Sequence, residues 1–296
     1  MRWRPRTRPS GWPRSTIFET GAVTAISRAL ARATQALTAT SDTPRLDAEL
    51  LMAAALDIGR DRLILSPPPG DPPSAFSHMI ERRAVGEPVA YITGQRAFWT
   101  IDLEVGPGVL IPRPDSETLI AAAVEHFAGS SGPRNILDLG TGPGTLLLAA
   151  LDEWPGAMGL GIDASADALD YARRNAARLG LAKRATFAVG DWAEGLTERF
   201  DLVLCNPPYV ATAAPTGPGV ADYEPAEALF AGDDGLDDYR RLAPQLGRLV
   251  AGGGLAAIEI GFDQERSAAA LFDAAGLATI VAHDLANRPR ALLIRG

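Results

Sequence analysis

Asn206-Pro207-Pro208-Tyr209 is the stretch of this chain whose residue types most directly imply a chemistry. An asparagine side-chain oxygen and a prolyl carbonyl can each accept one N–H of a planar NH₂ group. Neither proline can donate to a sheet ladder, so the chain must leave regular structure here in an extended shape. Tyr209 follows with a ring that can cover the flat group. A delocalised nitrogen is a poor nucleophile. Two acceptors on its hydrogens raise its electron density and aim it for in-line attack, which points to methyl transfer onto nitrogen. The tetrapeptide alone leaves adenine N6, guanine N2 and glutamine N5 open as acceptors.

A second group of residues suits the methyl donor. Residues 136–139 are an apolar run ending in Asp138-Leu139, followed by Gly140-Thr141-Gly142-Pro143-Gly144. Glycines let the backbone approach a ligand closely, and the N-terminus of a following helix offers free N–H groups. Such a loop is weak evidence alone, because many nucleotide folds carry one. Asp163 stands about twenty residues further on, where a carboxylate can accept both ribose hydroxyls; the alternative is a cap for the next helix. Two features favour S-adenosylmethionine over NAD. Asp138 can orient the loop or meet an ammonium group, and Pro143 lacks the N–H that a pyrophosphate would want. Asp191-Trp192 can flank an adenine edge and face, though core packing explains Trp192 equally well.

Elements that would hold these residues follow from hydrophobic period. Strands are expected over 135–139, 157–162, 184–189, 201–205, 254–260, 278–283 and 291–294, with helices over 146–152, 166–179, 239–250 and 264–275 between them. That alternation is the mark of a parallel sheet with helices on both faces. Seven strands suit a class I, Rossmann-like methyltransferase sheet better than a dinucleotide dehydrogenase. Upstream, apolar residues at helical spacing predict helices over 22–37, over 44–56 (with Ser41 or Asp42 as cap) and over 74–85. Val89, Tyr91, Ile92, Phe98, Ile101 and Leu103 then read as a hairpin, and a helix is expected over 115–127. The expected division is a basic tail over 1–20, a small N-terminal helical domain over 21–87, a β-hairpin linker over 88–114 and the methyltransferase domain over 115–296.

Bulk properties narrow the partners. A chain of 296 residues is near the size at which one core splits into two domains. Net charge of −8 argues against direct nucleic-acid binding. Cys205 is the only cysteine, which fits a reducing cytoplasm and a packing role. No apolar run is long enough to span a bilayer. His78, His126 and His283 match no metal-ligand spacing, so no metal is expected. Arg2, Arg4, Arg6, Arg8 and Arg14 alternate with prolines and tryptophans; the stretch reads as a disordered tail, with a basic arm for RNA or protein as the alternative. Arg82-Arg83 reads either as a solvated helix end or as a patch for an acidic partner.

Several further motifs carry a resemblance. They are residues 82–94 (RRAVGEPVAYITG), Phe98-Trp99, residues 110–117 (LIPRPDSE), the glycine loop and the Asn-Pro-Pro-Tyr clamp. Glu224-Pro225, Ala228-Leu229, Asp234-Gly235-Leu236, Glu259-Ile260-Gly261 and Gln264 complete the set. From about residue 22 onward the chain resembles the HemK/PrmC family, which methylates the glutamine of the GGQ motif in peptide chain release factors. The resemblance implies S-adenosyl-L-methionine contacts from Gly140, Thr141, Gly142, Pro143, Gly144, Asp163, Trp192 and Asn206. It implies that Asn206, Pro207, Pro208 and Tyr209 hold the glutamine amide, with Asn206, Pro207 and Tyr209 catalytic. The Ile111-to-Pro114 segment would shape the acceptor channel, and the helical domain would recognise the release factor. A cytoplasmic monomer is expected. Ser116 stands where the family usually has threonine, Pro143 replaces a small residue, and the loop over 211–222 is richer in Ala, Gly and Pro than in relatives. A ribosomal-protein glutamine is the sister target. DNA adenine is the alternative substrate class, and the lack of a basic face after residue 20 argues against it.

Overall fold

The computed structural model describes residues 24–296; the Arg/Pro-rich tail expected over 1–20 lies outside the described residues. Five helices come first. α1 (Ala25–Leu37) starts where the Thr24 hydroxyl accepts from Ser27 N–H, and it buries Ile26, Ala29, Leu30, Ala33 and Leu37, a stripe at the helical repeat. α2 (Pro44–Ala55) has Pro44 in its first turn and Thr43 at the cap position. Ser41, one of the two residues expected to cap it, instead donates to Asp47 at 2.7 Å. α3 (Arg60–Leu65), absent from the sequence reading, and α4 (Ser74–Ala84) follow. Arg82 pairs with Glu87, and Arg83 with Asp47 at 2.7 Å.

α5 (Val89–Thr93) corrects the extended reading of Val89, Tyr91 and Ile92. Pro88 opens the turn and Gly94, with φ of 71°, stops it. Three successive residues, Ala90, Tyr91 and Ile92, are buried, which a strand covered on one face cannot achieve. The hairpin itself is β1 (Gln95–Phe98) against β2 (Ile101–Glu104). A 3₁₀ turn over Pro114–Ser116 leads into α6 (Glu117–His126).

The remainder alternates: β3 (Asn135–Leu139), α7 (Thr145–Glu153), β4 (Met158–Asp163), α8 (Ala166–Arg178), β5 (Ala185–Val189), β6 (Phe200–Cys205), α9 (Val220–Tyr223), α10 (Asp237–Leu246), β7 (Val250–Glu259), α11 (Glu265–Ala274), β8 (Thr279–His283) and β9 (Pro289–Arg295). The seven strands lie in the order β5-β4-β3-β6-β7-β9-β8, and only β9 runs against its neighbours. α10 stops at Leu246, short of the expected 250, because Val250 already pairs with Phe200 in the sheet. Apolar clusters fill both faces, one around Ile136, Leu202 and Leu255, the other around Leu137, Val203 and Ala256. Sequence order reverses between β3 and β6, and that reversal opens a crevice at their C-terminal ends. Among the described residues, no helix is long and apolar enough to cross a membrane.

Candidate active site

Strand register sets the site. Leu139 ends β3 opposite Cys205, which ends β6, so the glycine loop and the clamp leave the sheet at one level. A Cβ placed on Gly140 would stand 3.9 Å from the Asn206 carbonyl oxygen.

The loop is tied to β4 by Gly140 and Thr141, whose N–H groups donate to Ile162 O at 2.8 and 3.0 Å. Gly142 has φ of 55°, and a Cβ there would meet no atom within 4 Å. Its N–H donates to Asp163 Oδ2 at 2.7 Å, while Asp163 Oδ1 accepts from Ser165 N–H at 2.9 Å. Each oxygen keeps a lone pair for a further donor. The helix-cap alternative falls to Ser165, whose hydroxyl accepts from Ala168 N–H.

Asp138 is buried beneath the loop. Its Oδ2 accepts from the Thr141 hydroxyl at 2.6 Å and from Leu147 N–H at 3.2 Å, and Oδ1 is buried without a partner. Burial pushes this carboxyl up to about 7 against those two hydrogen bonds, and nearby Asp163 adds to the rise. Trp192 packs against the core, and its ring edge lies 3.3 Å from where a Gly140 Cβ would be. Asp191 is exposed and ion-paired with Arg241 of α10 rather than with the loop. The open side of Gly142, the double acceptor at Asp163, the unpartnered Oδ1 of Asp138 and the Trp192 ring together fit a nucleoside with a vicinal diol and an ammonium group.

Asn175 holds this loop in place and was missed in the sequence. It is fully buried on α8, donating to Pro143 O and Glu104 O, both at 3.0 Å, and accepting from Glu104 N–H at 2.7 Å. A polar residue on the apolar stripe Ala168, Leu169, Ala172, Ala176 is the pattern that marks it.

In the clamp, Asn206 Nδ2 donates to Ser116 Oγ at 3.1 Å. Its Oδ1 and the Pro207 carbonyl take no hydrogen bond from the described residues. Both residues line a pocket of about 180 Å³ with Leu110, Arg113 and Tyr209. Pro208 is not among the residues that line this pocket. Glu224, quoted in the sequence without a role, fixes the pocket wall: it pairs with Arg113 and accepts from Ile111 N–H at 2.9 Å. Pro215, Thr216, Gly217 and Val220 form another wall, so the Ala-, Gly- and Pro-rich loop over 211–222 borders the pocket.

Tyr209 donates its hydroxyl to Glu259 Oε1 at 3.0 Å, and its carbonyl accepts from Gln264 Nε2 at 2.9 Å. Burial and the Glu259 carboxylate raise the hydroxyl's pKa far above its usual value, so it stays protonated. Cys205 is fully buried and its thiol is likewise pushed up by burial. His126 and His283 share the wall of a separate groove between α6 and β8. Among the described residues, no cluster is arranged to hold a metal ion.

Two stretches match described families: residues 28–94 the PrmC N-terminal domain, and residues 131–243 a methyltransferase domain. The release factor glutamine methyltransferase of Rhodospirillum rubrum is 45% identical over 258 residues, 85% of this chain and 79% of that protein. The protein of the same name from Caulobacter vibrioides is 43% identical over 263 residues, 85% of this chain and 89% of that one. Among solved structures, the hMettl16 catalytic domain, crystallised with a 3′UTR hairpin, aligns with TM-score 0.52 and 18% identity over 73% of this chain and 82% of that one. At that identity the likeness concerns the fold alone.

Proposed function

The chain belongs to the release factor glutamine methyltransferase family, and on that premise we propose that it methylates N5 of the GGQ glutamine in peptide chain release factors. S-adenosyl-L-methionine, when bound, supplies an electrophilic methyl carbon. Gly140 to Gly144, Asp163 and Trp192 would hold it, with Asp163 accepting from the ribose hydroxyls and Asp138 fixing the loop through Thr141 and Leu147.

One observation carries the reading: Asn206 and Pro207 line a pocket with Asn206 Oδ1 and the Pro207 carbonyl unused, and Asn206 also lies beside Gly140 of the glycine loop. Two such acceptors can take both hydrogens of a primary amide and turn its nitrogen lone pair towards the loop. Tyr209, held protonated, covers the amide plane rather than removing a proton. The proton leaves after the methyl arrives, so no strong base is needed. The helical domain, which matches the PrmC N-terminal domain, would seat the release factor. The enzyme would work as a monomer in the cytoplasm.

Transfer of labelled methyl groups to purified release factor tests this. Label is expected on the intact factor and on neither duplex DNA nor a factor whose GGQ glutamine is replaced. Asn206→Ala is expected to cut kcat by about a hundredfold or more. Label persisting on the factor without that glutamine would overturn the assignment.

A further inference from the structure

Glu259 ends β7 fully buried, beneath Tyr209 of the clamp. Its Oε1 accepts from Tyr209 at 3.0 Å. The Ser116 hydroxyl also lies near this carboxylate, whose Oε2 is buried and takes no hydrogen bond from the described residues, so it is open to receive the Ser116 hydrogen. Ser116 is at the same time the acceptor for Asn206 Nδ2, at 3.1 Å. We propose that Glu259 is the positioning residue of the clamp: acting through the single proton of Ser116, it decides which end of the Asn206 amide faces the acceptor.

The argument is one of proton counting. A serine hydroxyl has one hydrogen to give. An ionised Glu259 can only accept, so it draws that hydrogen towards itself. Ser116 Oγ is then left to receive a hydrogen from Asn206, which places Nδ2 on the Ser116 side and Oδ1 on the pocket side. A protonated or amidated Glu259 can give a hydrogen to Ser116 instead. Ser116 then donates to Asn206, whose amide turns over and presents Nδ2 to the substrate. Two donors facing each other repel an amide NH₂, and the clamp fails without any change in backbone.

The surroundings make Glu259 a group that can change state. Burial raises its carboxyl to about 7, while Ser116, Tyr209 and Arg290 pull it down and Asp115 pushes it up. Arg290 of β9 is itself buried and pairs with Asp115 at 2.9 Å and with Asp284 at 3.6 Å. From the remaining neighbours, Tyr239 donates to the Glu259 carbonyl at 3.0 Å and to Gln264 Oε1 at 3.3 Å, and Cys205 is a buried neutral thiol.

This inference rests on the proposed function for its kinetic arm but not for its spectroscopic one. In protein labelled with ¹⁵N-asparagine, the Asn206 side-chain resonances are expected to titrate with a midpoint near 7 in the wild type and to lose that titration in Glu259→Gln and Ser116→Ala. In methyl transfer, both variants are expected to lower kcat by roughly ten- to a hundredfold with KM nearly unchanged. Ser116→Thr, which keeps the hydroxyl, is expected to recover the loss, and the double variant to be no worse than either single one. If Glu259→Gln does not fold, Ser116→Ala carries both readouts because it alters no charge. An unchanged Asn206 titration in the variants overturns the proposal, and so does a kcat equal to wild type. Should the wild type titrate as expected yet leave release factor unmethylated, the substrate assignment falls and the positioning role stands.

Discussion

A carboxyl group sealed from water keeps its proton to higher pH than a free one. Asp138 and Glu259 are both sealed, and each is raised to about 7. In the unfolded chain they ionise near about 4. Between those values the native state holds protons that the unfolded state has released, so stability falls as pH rises through that window. The ligand-free protein is therefore expected to melt at a lower temperature at about pH 8 than at about pH 5.5, and Asp138→Asn to flatten that slope. A variant whose melting temperature tracks the wild type across the window would contradict this. At this scale the residues proposed to touch ligands stand out in the sequence, because the glycine loop and the Asn-Pro-Pro-Tyr clamp are contiguous. Glu259, Ser116 and Asn175 act by meeting residues far along the chain, and only the closed fold brings them together. Asp191, which the sequence also placed at the cofactor, is exposed and paired with Arg241.

Elements transmit position through register. Because Leu139 lies opposite Cys205, slipping one strand by one residue would part the loop from the clamp and move every side chain of that strand to the opposite, differently packed face. The loop has a second tether in Asn175, which joins it to the end of the hairpin at Glu104. Asn175→Ala leaves Pro143 O and Glu104 N–H without these partners, at a cost of about 1–3 kcal/mol. Calorimetric titration is expected to show about tenfold weaker S-adenosylmethionine binding, with melting several degrees lower; unaltered affinity would remove the hairpin from the account. The sheet was legible because its strands are apolar runs separated by amphipathic helices. α5 was not, since five residues between Pro88 and Gly94 are too few for a helical period to stand apart from alternation. α3, six residues long, escaped for the same reason.

Across the whole molecule, the helical domain touches the wall of the acceptor pocket. Tyr223 donates its hydroxyl to Val85 O at 3.3 Å. Gly219 has φ of 74°, and a Cβ there would stand 2.5 Å from Gly86 O. Gly219→Val therefore combines backbone strain with a clash at this seam, forcing the loop over 211–222 away from the helices. KM for release factor is expected to rise about tenfold while S-adenosylmethionine affinity stays within about twofold. Equal losses for both ligands would mean that the seam supports the whole fold rather than the protein substrate's seat.

The position of β9 also dictates a schedule of synthesis. β8 leaves the ribosome before β9, yet β9 is the strand that joins β8 to β7. Until residues 289–295 emerge, β7 remains an open edge, free to pair with another nascent chain, and β8 has nowhere to dock. Arg290 arrives with that strand, so the Glu259 carboxylate is buried with its cation only at this closing step. The open edge of β7 is thus a hazard that belongs to synthesis and ends when β9 is in place.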